Sequence, residues 1–377
     1  MKNILFITDI GSPWGGSEEL WSKSAIILKN EGYNVQASVG WYGQIHLKVH
    51  NLTNQGIKVH FRKSKIRSLL RKAYNYTQNT LLKHIKAETV KHIDKTNPDL
   101  IVFSQSHVFS AWEYMLYAKK NNIPYVVVTQ LNSELSWAND SNYRQIQNAF
   151  TNAEQSFFVS QGNLELLETQ LAFTLPNAKV ISNPFNMHTV KDIKWPQKEK
   201  LNFAYVGRLD FTHKGIDILL KSFATEKWKA RAFLLNIYGS GDIDLTKELV
   251  NHLGLSEKVI FHGHINNIHE IWEQNHILAL ASRYEGMPLV LIEAMFCKRT
   301  AIVNDVAGHS ELIADGDNGF VVPAAHYKLF AQQLEIVWKN KDKLEAYGKA
   351  AFETINKAIS ELPEKTFSDL IKTTLLK

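Results

Sequence analysis

The sequence predicts an α/β protein of two domains, each built on a parallel β-sheet. Three observations carry that expectation. The chain has 377 residues, more than one ordinary core accommodates. Short continuous apolar runs alternate with stretches of helical period, the pattern of βαβ units. The alternation breaks at a polar stretch near the middle and then starts again.

In the first half, Ile4–Thr8 is a strand and Glu18–Asn30 a helix with apolar residues at Leu20, Trp21, Ala25 and Leu28. Asn34–Val39 follows as a strand. Leu100–Phe103, after Asn97-Pro98, and Tyr125–Thr129, after Pro124, are uninterrupted apolar runs of the kind that parallel sheets bury on both faces. Ser156–Val159 and Lys179–Ile181 complete the set. Asn183-Pro184-Phe185 and the polar stretch from Lys191 to Lys200, with Trp195-Pro196, read as a linker.

The second half repeats the scheme. Strands are expected at Phe203–Val206, Phe233–Tyr238, Lys258–Phe261, Ile277–Ala281 and Ala301–Val303, and helices at Gly215–Phe223, Glu248–Leu253, Leu289–Phe296 and Tyr327–Trp338. The domains are therefore set at 1–184 and 185–359, and a final helix of about 360–377 is expected to pack back on the first.

Composition narrows the class. Apolar residues make up 45% and charged residues 21%, the balance of a globular protein. The apolar run in MKNILFITDIG ends at Asp9, too short for a signal peptide core, and no stretch reaches the roughly 18 apolar residues that a membrane span requires. The single cysteine, Cys297, excludes an intramolecular disulfide and a thiolate metal cluster. A cytoplasmic protein is expected.

The net charge of +6 is unevenly placed. Within residues 62–95, Arg62, Lys63, Lys65, Arg67, Arg71, Lys72, Lys83, Lys86, Lys91 and Lys95 face only Glu88 and Asp94. Around Ile66, Leu69, Leu70, Ala73 and Tyr74 the apolar residues recur at helical spacing. That pattern fits a helix lying on an anionic membrane surface, and equally an ordinary amphipathic surface helix. No recognised nucleic-acid motif accompanies the charge, so nucleic acid is not expected as a partner.

Three segments carry chemistry. Gly11-Ser12-Pro13-Trp14-Gly15-Gly16-Ser17-Glu18 joins the first strand to the first helix, where glycines admit a close ligand and the helix start favours an anion. A tight turn explains the same residues. Val206-Gly207-Arg208-Leu209 with Lys214-Gly215 places two cations just past a strand, suited to clamping a diphosphate, or merely a solvated loop. Glu285-Gly286-Met287-Pro288-Leu289-Val290-Leu291-Ile292-Glu293-Ala294 places one carboxylate before a helix and one inside it. A carboxylate among apolar residues needs a partner, either sugar hydroxyls or an ion pair.

Taken together, these segments resemble the GT-B retaining glycosyltransferases of family 4, the glycosyl transferases group 1, over nearly the whole chain and most strongly from Phe203 to Val322. The matching features are Gly15-Gly16, Arg208 with Lys214, Glu285 with Glu293, Gly239-Ser240-Gly241, Phe261-His262-Gly263, and the stretch containing Gly308, Glu311, Gly316 and Gly319. The resemblance implies the GT-B fold, two Rossmann-like domains with parallel sheets facing across a cleft. It assigns the donor's diphosphate to Arg208 and Lys214, the ribose hydroxyls to Glu293, and the donor sugar to Glu285. Gly16 then approaches the phosphate from the first domain, and Gly15, Gly207, Gly263, Pro288, Leu289 and Val290 complete the nucleotide-sugar site.

One departure concerns the acceptor side. Where many relatives carry a histidine near the end of the strand matching Tyr125–Thr129, this chain has Gln130, followed by Asn132 and Glu134. Glutamine hydrogen-bonds a hydroxyl but is no general base. The nearest histidine is His107, and these four are the acceptor-side candidates. Asp242-Ile243-Asp244 spells a metal-binding Asp-x-Asp, but two carboxylates in a polar loop rarely make a cation site, and His262 with His264 lack ligand spacing. No metal and no cofactor are expected.

The implied activity is retaining transfer of a hexosyl-type group from a nucleoside diphosphate sugar to a hydroxyl of a saccharide or lipid-linked saccharide. The setting would be bacterial surface polysaccharide or glycolipid synthesis, peripheral to the inner face of the membrane. Competing readings are an epimerase or hydrolase of the same fold and a non-catalytic nucleotide-sugar-binding protein. An NAD-dependent dehydrogenase fits the alternation but lacks the fingerprint glycines.

Overall fold

A computed structural model describes residues 1–62, 88–185, 193–197, 199–265, 267–358 and 362–376. It divides into two compact units, residues 1–184 with 361–377, and residues 185–360.

The first unit carries a parallel sheet of seven strands among the described residues: β1 (Asn3–Thr8), β2 (Asn34–Gly40), β3 (Lys58–Arg62), β4 (Leu100–Gln105), β5 (Tyr125–Thr129), β6 (Gln155–Phe158) and β7 (Ala178–Val180). Their spatial order is β3-β2-β1-β4-β5-β6-β7. β1 is the central strand, with Ile4 beside Val35 of β2 on one side and Leu100 of β4 on the other. Every residue of β4 and β5 is buried, because helices cover both faces of the sheet. The helix Glu18–Asn30 turns Leu20, Trp21, Ala25 and Leu28 inward. The helix Pro363–Leu375 belongs to this unit: Phe367 and Ile371 are fully buried in the same cluster, and Ser24 Oγ donates to the Glu364 carbonyl at 2.8 Å.

The second unit repeats the order on six strands among the described residues: β8 (Leu201–Val206), β9 (Phe233–Tyr238), β10 (Val259–Gly263), β11 (Ile277–Leu280), β12 (Thr300–Asn304) and β13 (Phe320–Val322), arranged β10-β9-β8-β11-β12-β13. All pairings are parallel. Both sheets are thus Rossmann-like, and the strand order reverses between β1 and β4 and again between β8 and β11. In open parallel sheets, ligands settle beyond the carboxyl ends of the strands at that reversal.

Several expectations are corrected. The stretch Lys191–Lys200 is more than a linker where it is described, since Ile193 is buried and Trp195 and Pro196 pack on the second unit. Asp242 caps the helix Ile243–His252 and Asp244 lies in its first turn, so the Asp-x-Asp is a helix start and not a polar loop. Arg62, counted with the surface charge, is buried: its guanidinium donates to the Ser38 carbonyl at 2.7 Å and to the Thr8 carbonyl. The amphipathic pattern at residues 66–74 lies outside the described residues. Among those described, no helix is long and apolar enough to cross a membrane.

Candidate nucleotide-sugar site

The loops after β8 and β11 flank the reversal in the second sheet, and they carry Arg208, Lys214 and Glu285. The β8 loop is wound tightly against its neighbours. Gly215 starts the helix Ile216–Phe223 at φ +61°, and a Cβ there would lie 2.1 Å from the Ala281 carbonyl oxygen, so only glycine fits this approach of the two loops. Asp210 accepts from the backbone N–H groups of Thr212 and His213, each at 2.9 Å, and from Arg208 Nη2 at 2.8 Å. Although partial burial acts to raise it, those donors hold the Asp210 carboxyl below its usual range. Arg283 clamps the two loops together: it pairs with Asp217 through both guanidinium nitrogens at 2.9 and 2.8 Å, and its N–H donates to the His213 carbonyl at 2.8 Å.

Glu285 is the most enclosed charge of the group. Lys214 Nζ lies 2.5 Å from its Oε1, Ser282 Oγ donates to Oε1 at 2.8 Å, and His213 Nε2 lies 3.5 Å from Oε2. The His213 ring stacks on Tyr284 with centroids 4.6 Å apart. Burial, the largest single influence, acts to raise the Glu285 carboxyl, but the Lys214 ammonium and the hydrogen bond from His213 hold it well below the usual range. It is therefore ionised at every physiological pH. Behind it, Asn304 donates to the Ser282 carbonyl at 2.9 Å, while His309 Nδ1 lies 2.7 Å from the Asn304 carbonyl, and burial keeps His309 neutral. The His309 segment joins the Glu285 loop through Gly308 N–H and the Gly286 carbonyl at 3.2 Å.

Pro288 caps the helix Leu289–Phe296, and Leu289 and Val290 form its first turn, where backbone N–H groups lack intrahelical partners. Glu293 is buried within this helix at 8% exposure. Arg208, by contrast, leaves 58% of its side chain exposed. Gly207 and Gly263 frame the opposite wall: Gly239 N–H donates to the Gly263 carbonyl at 2.7 Å, and a Cβ on Gly239 would lie 1.9 Å from the Gly207 carbonyl oxygen. Two cations, an ionised carboxylate and a helix start thus share one strand-end surface. Sequence reasoning missed His213, Arg283, Asp217, Asp210 and His309. Of these, His213 and Asp210 stood inside the Arg208–Lys214 segment and His309 inside the stretch around Gly308 and Glu311, whereas Arg283 and Asp217 stood in none.

In the first unit, Gly15 and Gly16 precede the helix Glu18–Asn30 and their carbonyls accept from the Glu18 and Glu19 N–H groups at 3.1 and 3.2 Å. The acceptor-side candidates lie at the ends of β4 and β5. His107 Nε2 is 2.8 Å from Ser136 Oγ, and burial lowers its pKa, so it is neutral. Gln130 is buried and its Oε1 accepts from Asn183 at 2.8 Å. Asn132 is also buried, donating to the Asn163 carbonyl at 3.3 Å, whereas Glu134 is exposed. Gln130 and Asn132 are thus held by the fold.

Glu18 is an ionisable group that the sequence did not mark. It is 3% exposed and accepts from the Thr8 hydroxyl at 2.8 Å. Burial pushes its carboxyl up from 4.5 to about 7, against the pull of that hydroxyl. Between those values the folded chain holds more protons than the unfolded one, so stability falls as the pH climbs through the window, by up to about 3 kcal/mol. Glu18→Gln should abolish that loss. The comparison is the difference in urea midpoints between wild type and variant at about pH 5 and about pH 8. His60 and His92, both lowered by burial, act with the opposite sign in each protein and cancel in the difference. Equal pH profiles for the two would refute the assignment.

Comparison with known proteins relates the chain to glycosyltransferases. Residues 189–354 match the family model described as glycosyl transferases group 1. The putative glycosyltransferase EpsD of Bacillus subtilis is 29% identical over 173 residues, 46% of this chain and 45% of EpsD, so the match spans less than half of that relative. The amylovoran biosynthesis glycosyltransferase AmsD of Erwinia amylovora is 24% identical over 384 residues, covering 98% of this chain and all of AmsD. Among solved structures, HepE from Anabaena in complex with UDP-glucose aligns with a TM-score of 0.71 at 19% identity, covering 100% of this chain and 99% of HepE. The chain has the GT-B fold, and residues 189–354, mostly its second unit, match the glycosyl transferases group 1 model.

Proposed function

We propose that the protein is a retaining glycosyltransferase that moves a sugar from a nucleoside diphosphate sugar to a hydroxyl of a saccharide or lipid-linked saccharide, in polysaccharide or glycolipid synthesis. The observation that carries this reading is the convergence of Arg208, Lys214 and Glu285 on the two strand ends at the order reversal of the second sheet. The bond that breaks joins the anomeric carbon to the diphosphate. Positive charge grows on the sugar ring and negative charge on the departing phosphate. Lys214 and Arg208 lie where the negative charge develops, and preorganised cations there lower the barrier without reorganising as the reaction proceeds. They supply the charge that a divalent ion supplies elsewhere, so we read the chemistry as metal-independent. Glu285, ionised and fixed by three neighbours, is suited to accept from the donor sugar's hydroxyls, and Glu293 from the ribose. The names of EpsD and AmsD and the UDP-glucose bound to HepE are consistent with this reading.

Thermal unfolding with UDP, GDP, ADP and dTDP tests the donor site. A nucleotide at about 100 times its dissociation constant adds about 2.7 kcal/mol of stability. One of the four should raise the melting temperature of the wild type and fail to do so in Arg208→Ala. If no nucleotide shifts it, the donor assignment falls.

A further inference from the structure

Two basic groups stand against Glu285, and only Lys214 has a role in the reaction so far. Lys214 Nζ lies 2.5 Å from Oε1, and His213 Nε2 lies 3.5 Å from Oε2. The two differ in how they are held. The Lys214 ammonium ends a flexible four-carbon stem and can swing without moving the loop. His213 has no such freedom. Its N–H donates to Asp210 Oδ1 at 2.9 Å, and its carbonyl accepts from the Arg283 N–H at 2.8 Å. Its ring lies flat on Tyr284, with centroids 4.6 Å apart and planes 3° apart. When a diphosphate draws the ammonium away, the imidazole stays beside the carboxylate.

The lost charge then needs a replacement. Glu285 is buried, and a buried carboxylate stripped of its cation is strongly destabilising. The other charged groups around the imidazole are already matched. Arg208 pairs with Asp210 on the β8 loop, and Arg283 of the β11 loop pairs with Asp217 of the helix Ile216–Phe223. Burial pushes the Tyr284 phenol up, so it stays neutral. His309, behind the Ser282–Asn304 contact, is kept neutral by burial, with Nδ1 turned to the Asn304 carbonyl. That leaves His213. Imidazole is the side chain whose ordinary titration falls near neutrality, and 16% of this one is exposed, so solvent can deliver a proton to it.

We propose that His213 takes up a proton as the diphosphate takes over Lys214, so that an imidazolium replaces the ammonium at Glu285 and nucleotide binding is linked to a proton. The proton comes from solvent, both ring nitrogens then carry hydrogen, and Nε2–H faces Oε2. His213 is thus a positioning residue, which keeps Glu285 ionised and in place while Lys214 serves the phosphate. The inference deepens the donor reading and rests on it, since it needs a diphosphate at Lys214.

Calorimetric titration of the full chain with UDP, GDP, ADP and dTDP at about pH 8, in Tris and in HEPES, counts the protons. At that pH an ordinary imidazole and a terminal phosphate have both lost theirs, so uptake reports a group that binding itself changes. The nucleotide that binds should draw in a large fraction of one proton, read as a difference in heat between the buffers. Its affinity should rise several-fold from about pH 8 to about pH 7, against a limit of about ten-fold for one full proton. His213→Gln, which keeps a hydrogen-bonding amide but cannot titrate, should bind without uptake. Glu285→Gln, which removes the carboxylate that calls for the cation, should lose the uptake with His213 still present. A merely structural role for His213 would weaken binding and leave the proton count unchanged. Equal heats in the two buffers for the wild type, or uptake that persists in His213→Gln, overturns the proposal. Binding without uptake removes the proton link and leaves the donor site standing. No binding by any of the four nucleotides removes the donor reading, and the inference with it.

Discussion

Lys214→Ala should lower the rate of sugar transfer by about 100-fold or more, the loss typical of removing one group aimed at a developing negative charge. On the proposed reading this side chain has two partners in turn. Without donor, its ammonium sits 2.5 Å from Glu285 Oε1, in a site where the carboxylate is 5% exposed. A diphosphate must share or take over that ammonium, so donor binding and the Lys214–Glu285 pair compete for the same charge. Glu285→Gln therefore separates two effects that Lys214→Ala combines. With the competitor neutralised, UDP alone should bind several-fold more tightly. Transfer should still fall, since the group proposed to face the sugar has lost its charge. Calorimetric titration with UDP and initial transfer rates, measured on wild type and both variants, check this. Near wild-type transfer in Lys214→Ala would refute the role assigned to it, and weaker UDP binding in Glu285→Gln would refute the competition.

Arg299→Met should destabilise the second unit by about 3–5 kcal/mol. Arg299 is 1% exposed, yet every partner of its guanidinium given by the structure is a carbonyl or an aromatic face. Nε donates to the carbonyls of Trp272 and Asn275 at 3.0 and 2.9 Å, Nη1 to Cys297 at 2.9 Å, and Nη2 to Lys194 and Trp272 at 2.8 and 2.7 Å. Its plane lies 5.1 Å from the Trp195 ring centroid. Trp272, Asn275 and Cys297 stand at the C-terminal ends of the helices Ile268–Gln274 and Leu289–Phe296, where carbonyls lack intrahelical donors and the helix dipole is negative. One cation thus satisfies two helix ends and anchors the residues that lead into the unit. Burial lowers its pKa to about 10, which still leaves it charged at neutrality. Methionine fills much of the volume but offers no donor, leaving buried carbonyls unpaired. Urea unfolding, with the nucleotide response as the probe of this unit, measures the change. A shift below about 1 kcal/mol would show that water replaces the guanidinium at little cost.

Much of the fold was legible because parallel strands buried on both faces are continuous apolar runs, and β4, β5, β8 and β11 read directly as such. β3 escaped because its Lys-Val-His-Phe-Arg lies at the sheet edge, where only Arg62 is buried. β13, a short strand at the edge of the second sheet, escaped because it directly follows the glycine-punctuated turn at residues 316–319. In the site, Arg208, Lys214 and Glu285 stood out through glycines and prolines that punctuate their loops. Arg283 with Asp217, 66 residues away, and Asn304 with Ser282 could not, since pairings across the fold leave no local signature. Arg62 and Glu18 show the same limit in charge: their residue types suggest exposure, and only the packing around β1 and β2 reveals that both are buried.

The helix Pro363–Leu375 makes the first unit discontinuous along the chain. Phe367 packs edge-on against Phe157 of β6 at 5.2 Å, and Lys372 pairs with Glu31 at 2.8 Å, so this unit's core includes residues encoded after the whole of the second. On the ribosome the order of completion is then inverted. The second unit has all its strands before the first has its last helix, and a nascent first unit waits with an open apolar face. A premature stop near codon 360 would spare the second unit in full and injure the first.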